Sequence, residues 1–294
     1  MTGAPLHPPA SPRMDRRRVA VPVTTVWTDP AAVRPVDAPA VAASPDLEAW
    51  TAAMGEEERL DLHGRVVTQA LLGQEAVVEE ERAGWARVVL PGQPSSLHDG
   101  GYPGWVPAAH LMAWAPAPPG PKVVVAVRAT APVVDGMGLS FGTLLCRDRD
   151  DGGLRAVTGR AVSLDAADVR LPSGGGDAVA AAAQVFLGLP YLWGGVSGWG
   201  VDCSGLAWLC HRRCGRRIPR DAHDQAASGV AVERAELRPG DLVFFARPGQ
   251  QVHHVGVALG PEEMIHAPGT GGAVERAGID APERGAVVGA RRFA

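Results

Sequence analysis

The sequence predicts a multidomain protein in which two small all-β barrels precede an α+β domain. Two Pro/Gly-rich breaks divide the chain, APAPPGPK from Ala115 to Lys122 and PSGGG from Pro172 to Gly176. Ahead of each break, short apolar runs alternate with Gly, Pro and Asp, the pattern of short strands joined by turns. Past the second break, an alanine-rich helical run leads through glycine-rich loops into alternating strands. Length alone, 294 residues, would suggest two domains.

Residues 1–18 read as a disordered, proline-rich tail, or as an extension ahead of a start at Met14. They hold no apolar run of signal-peptide length. Residues 19–114 form the first barrel, with strands expected in RVVTQALLGQEAVVEEE, GWARVVLPG and GYPGWVPAAHL. A helical insertion is expected around Asp46 to Arg59, where SPDLEAW supplies an N-cap and a first turn. Trp27, Trp85 and Trp105 are expected in the barrel core. Tyr102 is expected in a Gly/Pro turn rather than a strand, which leaves it available for binding. Residues 123–171 form the second barrel, and residues 177–294 the α+β domain.

Composition narrows the function. The chain is 46% hydrophobic and 20% charged, with net charge −4, and its pI near 6.1 argues against a nucleic-acid partner. No window is long and apolar enough to span a bilayer, so no membrane partner is expected and the cytoplasm is the expected location. The four cysteines are Cys146, Cys203, Cys210 and Cys214. No disulfide framework is expected from them. Cys210 and Cys214 flank His211 but no second ligand pair follows, so no metal or other cofactor is expected.

The chemistry gathers in the last region. Ala178 to Leu187 are strong helix formers, stopped by Gly188 and Pro190. A loop carrying Tyr191, Trp193 and several glycines then leads to Asp202-Cys203-Ser204-Gly205. Leu206, Leu209, Cys210 and Cys214 recur at helical spacing before Gly215. Cys203 therefore lies at, or one turn inside, a helix N-terminus. There the helix dipole is expected to lower the thiol pKa, and free backbone N–H groups can hold an oxyanion. The usual fate of a free cysteine, a small buried hydrophobe, fits Cys210 better than a Cys203 that follows a charged residue.

Val252 to Leu259 alternate as a strand. Val255, Val257 and Leu259 take one face, while His254, Gly256 and Ala258 take a small-residue face that a helix or substrate could approach. His253 points the other way, toward solvent. Met264 to Ala267 read as the next antiparallel strand. An odd-numbered loop such as Gly260 to Glu262 sets His266 opposite Gly256, diagonal to His254 on the same face. A thiol, a base (His254) and an orienting group (His266) can thus line up.

These segments, PYLWGG, DCSG, RPGDLVFF, HHVGVALG and MIHAP, together resemble the NlpC/P60 family of papain-like cysteine peptidases across the whole last region. The resemblance implies a catalytic Cys203, His254 and His266, with Tyr191 helping the oxyanion hole; a packing aromatic is the alternative at Tyr191. VWTDPAAVRPVD, TQALLGQEAVV and GYPGWVP resemble the YkfC-like members, with two bacterial SH3-type barrels ahead of the peptidase domain. That similarity implies hydrolysis of the γ-D-Glu–diamino acid bond in murein tripeptides or tetrapeptides bearing a free N-terminal L-Ala, in cell-wall peptide recycling. It implies that Tyr102, Asp202, Ser204 and Asp221 bind substrate, although a solvated charge or helix N-cap is the alternative for each Asp. The family commonly has Ser or Thr where this chain has Ala222, so one hydroxyl contact is missing. Competing functions are a wall-lytic DL-endopeptidase acting on intact murein and a non-catalytic murein-binding protein.

Overall fold

The computed structural model describes residues 15–129, 137–280 and 285–293. In the first part, β1 (Asp15–Val19) and β2 (Val23–Trp27) are followed by a helical excursion, α1 (Ala38–Val41), α2 (Leu47–Ala53) and α3 (Glu56–Leu60). Then come β3 (Val66–Leu71), β4 (Glu75–Arg82), β5 (Trp85–Leu90), β6 (Tyr102–Pro107) and β7 (Leu111–Ala113). They form one antiparallel sheet in the order β3-β2-β6-β5-β4-β1-β7. Asp46 caps α2 by accepting the Ala49 N–H at 2.9 Å, as SPDLEAW suggests. The β4–β5 hairpin turns on Ala83 and Gly84, both at positive φ; two left-handed residues match the twist of the flanking strands.

Two expectations are corrected here. Residues 15–18 are not tail: they pair with β4 and β7, because Val19 and its neighbours complete the ladder of an otherwise open edge. The other predicted tail residues lie outside the described ones. Tyr102 is not in a turn but begins β6, opposite Leu90. The Gly101 φ of 132° supplies the bend just before it. Trp27 and Trp105 are buried, and Trp85 is half-buried against the same cluster.

A second antiparallel sheet holds β8 (Lys122–Val125), β9 (Leu144–Arg147), β10 (Leu154–Ala156), β11 (Ala161–Val162) and β12 (Val169–Arg170), in the order β11-β10-β9-β8-β12. The last part starts with α4 (Gly176–Gln184), the small hairpin β13 (Val196–Ser197) and β14 (Gly200–Val201), α5 (Cys203–Arg213) and α6 (Ala222–Ala226). Its sheet is built from β15 (Val230–Ala231), β16 (Leu242–Ala246), β17 (His254–Ala258), β18 (Glu263–His266), β19 (Glu275–Gly278) and β20 (Ala286–Arg292). The order is β15-β20-β16-β17-β18-β19.

One apolar cluster runs from the first sheet into the last. It joins Trp27, Trp50 and Trp105 to Val179, Phe186, Leu206 and Leu209 of the α4–α5 pair and to Val255 and Val257 of β17. The face that α5 covers is therefore the Val255/Val257 face. Gly256, on the opposite face, makes room for a different neighbour: a Cβ there would collide with Sδ of Met264. The small-residue face seats a methionine from β18, not the helix. Among the described residues, no helix is long and apolar enough to cross a membrane.

Candidate active site

The DCSG stretch folds as it does because Asp202 caps α5. Its Oδ1 accepts the Gly205 N–H at 2.6 Å, and its Oδ2 accepts the Gly194 N–H at 2.9 Å. Gly205 has to be glycine, since a Cβ there would overlap the Gly195 carbonyl oxygen. The two motif glycine sites thus press the loop onto the first turn of α5. Cys203 is the first residue of that helix, buried with 8% of its surface exposed.

The pull of the helix terminus on the thiol pKa, expected from the sequence, is outweighed by its surroundings. Burial, followed by the Asp202 carboxylate, pushes Cys203 up to about 12, against a smaller pull downward from the Val255 and Ser204 N–H groups. The Val255 contact also fixes where the sulfur lies: at the head of β17, beside His254. His254 and His266 share a hydrogen bond, Nε2 to Nδ1, of 2.8 Å, with their rings set edge to face at 83°. The β17–β18 register, Val257 with Ile265 and Ala258 with Met264, extends to Gly256 opposite His266. This is the pairing that loop parity predicts. His253 is exposed.

Cys203, His254 and Tyr191 open onto a cleft of about 830 Å³. Tyr191 is buried beside Cys203, and burial with the Cys203 and Asp202 charges holds its hydroxyl far above the usual tyrosine range. It is fixed as a proton donor. A thiol, a neutral imidazole and a phenolic donor in one cleft can carry out acyl transfer: the imidazole takes the thiol proton, sulfur attacks a carbonyl, and N–H and O–H donors meet the developing oxyanion.

Tyr102 and Asp221 also line the cleft, and the Tyr102 hydroxyl donates to Asp221 Oδ2 at 2.9 Å. Burial, against an opposing pull from Arg220 and Tyr102, raises the Asp221 pKa above 3.8. Ala222 starts α6 at the cleft wall without a hydroxyl. Asp202 and Ser204 line the cleft but turn their polar atoms inward. Arg220 binds Asp202 through both carboxylate oxygens, Nη1 to Oδ1 at 3.0 Å and Nη2 to Oδ2 at 2.6 Å. It also donates to Ser204 Oγ at 2.8 Å and to Thr68 Oγ1 of β3 at 2.9 Å.

Arg220 is the residue that sequence reasoning passed over. It is 1% exposed, and although burial opposes its charge, Asp202 raises its pKa overall. The Arg220-Asp221 pair was visible as text, but nothing local says that an arginine will be buried 18 positions from its carboxylate. His63, at the end of the helical excursion, was also missed. It stacks on Trp193 with ring centroids 3.6 Å apart and lines the cleft.

The NlpC/P60 family model matches residues 188–286. The chain is 34% identical to a gamma-D-glutamyl-L-lysine dipeptidyl-peptidase of Bacillus cereus over 90% of this chain and 86% of that protein. It is also 34% identical to the Bacillus subtilis protein of the same name, over 86% and 90% of the two chains. The crystal structure of an NlpC/P60 family protein from Bacillus cereus superposes with a TM-score of 0.86 at 32% identity, covering 95% of this chain and 99% of that one. Likeness over nearly the full length, with the thiol and its histidines inside the matched region, leads to one assignment: this chain belongs to the NlpC/P60 family of cysteine peptidases.

Proposed function

We infer that the protein hydrolyses the γ-D-Glu–diamino acid bond of murein tripeptides and tetrapeptides bearing a free N-terminal L-Ala, as a step in cytoplasmic recycling of wall peptides. Cys203 is the nucleophile, His254 its base, His266 the group that orients His254, and Tyr191 a donor to the oxyanion. Because the thiol is held protonated by burial, its proton passes to His254 as sulfur attacks the γ-carbonyl of D-Glu. The imidazolium then protonates the leaving amine, and water releases the dipeptide from the thioester.

The observation that carries the substrate reading is the Tyr102–Asp221 pair at one end of the cleft. A half-buried carboxylate held by a phenol suits an α-ammonium group. Asp221 is the direct partner of the L-Ala amine, with Tyr102 positioning it. Asp202 and Ser204 act on the substrate through Arg220 and the first turn of α5, since their own polar atoms have internal partners. The two Bacillus relatives support the reading by name: a dipeptidyl-peptidase removes two residues from a free amino end, and theirs is the γ-D-glutamyl-L-lysine linkage. The two sheets ahead of the peptidase part are read as SH3-like barrels, spanning about residues 19–114 and 123–171, which close the amino-terminal side of the cleft.

Mass spectrometry of products from L-Ala-γ-D-Glu-meso-diaminopimelate and from its N-acetylated form tests this. The free peptide yields L-Ala-D-Glu, and acetylation lowers kcat/KM by about 10²–10³, through loss of the ammonium that pairs with Asp221 and bulk added where the cleft is closed. Equal values for the two peptides would refute the free-amine reading and favour activity on intact murein.

A further inference from the structure

We propose that Glu275 is a positioning residue, a fourth member of the Cys203–His254–His266 line that selects the tautomer of both histidines. The proposal rests on the catalytic reading above and adds a residue to it. Glu275 begins β19, and the β18–β19 register sets it directly opposite His266. Residues so paired across a ladder have side chains within reach of each other. Here Oε1 of Glu275 lies 3.2 Å from Nε2 of His266, close enough to act on it by charge although the N–H is not aimed at the carboxylate as in a hydrogen bond. His266 is fully buried, while Glu275 is about half exposed and lines the cleft.

The chemistry follows atom by atom. A carboxylate offers acceptors only, so its charge beside Nε2 favours the neutral His266 tautomer that carries its proton there. Its Nδ1 then bears a lone pair. That nitrogen lies 2.8 Å from Nε2 of His254, which must therefore be the N–H partner in the bond. Nδ1 of His254 is left with a lone pair, the only state in which it can take the proton of a neutral thiol. With Cys203 pushed up to about 12 by burial, the resting sulfur carries its proton, and this tautomer is the one the reaction needs. When His254 becomes an imidazolium, the Glu275 charge stabilises it across His266. Without Glu275, His266 is able to flip its proton to Nδ1, and the two histidines then compete as donors or reverse the relay.

Charged and titratable groups lining the same cleft include Cys203 at the head of α5, Asp202 before it, Tyr191 beside it, His253 and Arg247 on the β16–β17 turn, and Glu275 on β19. Arg276, next to Glu275, faces Ile265 in the register. Glu275 is the acid that the strand register sets against His266, and its charge favours the imidazolium form of the pair.

The test compares Glu275→Ala and Glu275→Gln in the full chain, with the free-amine peptide as substrate. Glu275→Ala lowers kcat about tenfold with KM within about twofold. The pH limb governed by the histidines moves to lower pH in both variants, since both lose the charge. Glu275→Gln recovers most of kcat, because its amide oxygen keeps an acceptor beside Nε2. In 15N spectra of histidine-labelled protein, His266 is the Nε2–H tautomer in the native chain and a mixture in Glu275→Ala. A single tautomer in both overturns the proposal. So does a kcat within twofold and an unmoved profile in Glu275→Ala, or equal losses in both variants through a raised KM. If Glu275→Ala does not fold, the pH limb of the near-isosteric Glu275→Gln decides alone. Failure of the underlying reading looks different: an active Cys203→Ala variant removes the nucleophile assignment and leaves the tautomer result standing.

Discussion

At the scale of single residues, the thiol shows how burial and a helix terminus compete. A dipole at the first residue of α5 favours thiolate, yet desolvation and Asp202 outweigh it. Reactivity must then come from His254. Alkylation of Cys203, followed by mass spectrometry of its peptide, should report this: at neutral pH the His254→Ala variant should react at least about tenfold more slowly than the native chain. His253→Ala, at an exposed position, should leave alkylation and turnover within about twofold of native. Asp221 gives a second pH signature. Its raised pKa means that it protonates sooner than an ordinary carboxylate as pH falls, and its pairing with an ammonium is lost at that point. The acid limb of kcat/KM for the free-amine peptide should therefore lie above the usual carboxylate range. Tyr102→Phe removes a donor that pulls the pKa down, so it should move that limb higher still. The helix start at Cys203 and the His254/His266 pairing were readable from the chain, because both depend on local period and loop parity. The thiol pKa was not, because it depends on what surrounds the sulfur in space.

Among elements, the junction of α5, α6 and β3 is held by one guanidinium. Arg220 links Asp202 and Ser204 at the start of α5 to Thr68 of β3. Removing it by Arg220→Met leaves the Asp202 carboxylate buried without its cation, which costs about 3–5 kcal/mol. Urea unfolding should show a lower midpoint at an unchanged slope. A loss under about 1 kcal/mol would mean that the cap bonds to Gly194 and Gly205 suffice. The β17 strand makes the opposite point about legibility. Its alternation identified the two faces correctly, but the sequence could not say which face the helix covers. Gly256 suggested a close approach, and one exists, yet its partner is Met264 from the next strand. Small residues reveal that something comes near, not what it is.

For the whole molecule, the Pro/Gly breaks made the order of two antiparallel sheets and then the peptidase part legible, while the extent of their joint core was not. Trp27 and Trp105 belong to the same buried cluster as the α4–α5 pair. Trp193, moreover, donates from Nε1 to the Val66 carbonyl of β3 at 2.9 Å. The first sheet and the peptidase part should therefore unfold together, as one calorimetric transition. Residues 177–294 expressed alone should aggregate or bind a dye for exposed apolar surface. Two well-separated transitions, or a stable isolated peptidase part, would contradict a shared core.

The position of β20 has a consequence for synthesis on the ribosome. β20 does not sit at the rim of its sheet but between β15 and β16. Until residue 292 has cleared the exit tunnel, β16 lacks its inner neighbour and β15 has nothing to pair with. Nascent chains stalled before that point would hold an open, hydrophobic strand edge of the kind that chaperones cover. Thiol reactivity at Cys203 would then report the moment at which β20 slots between β15 and β16.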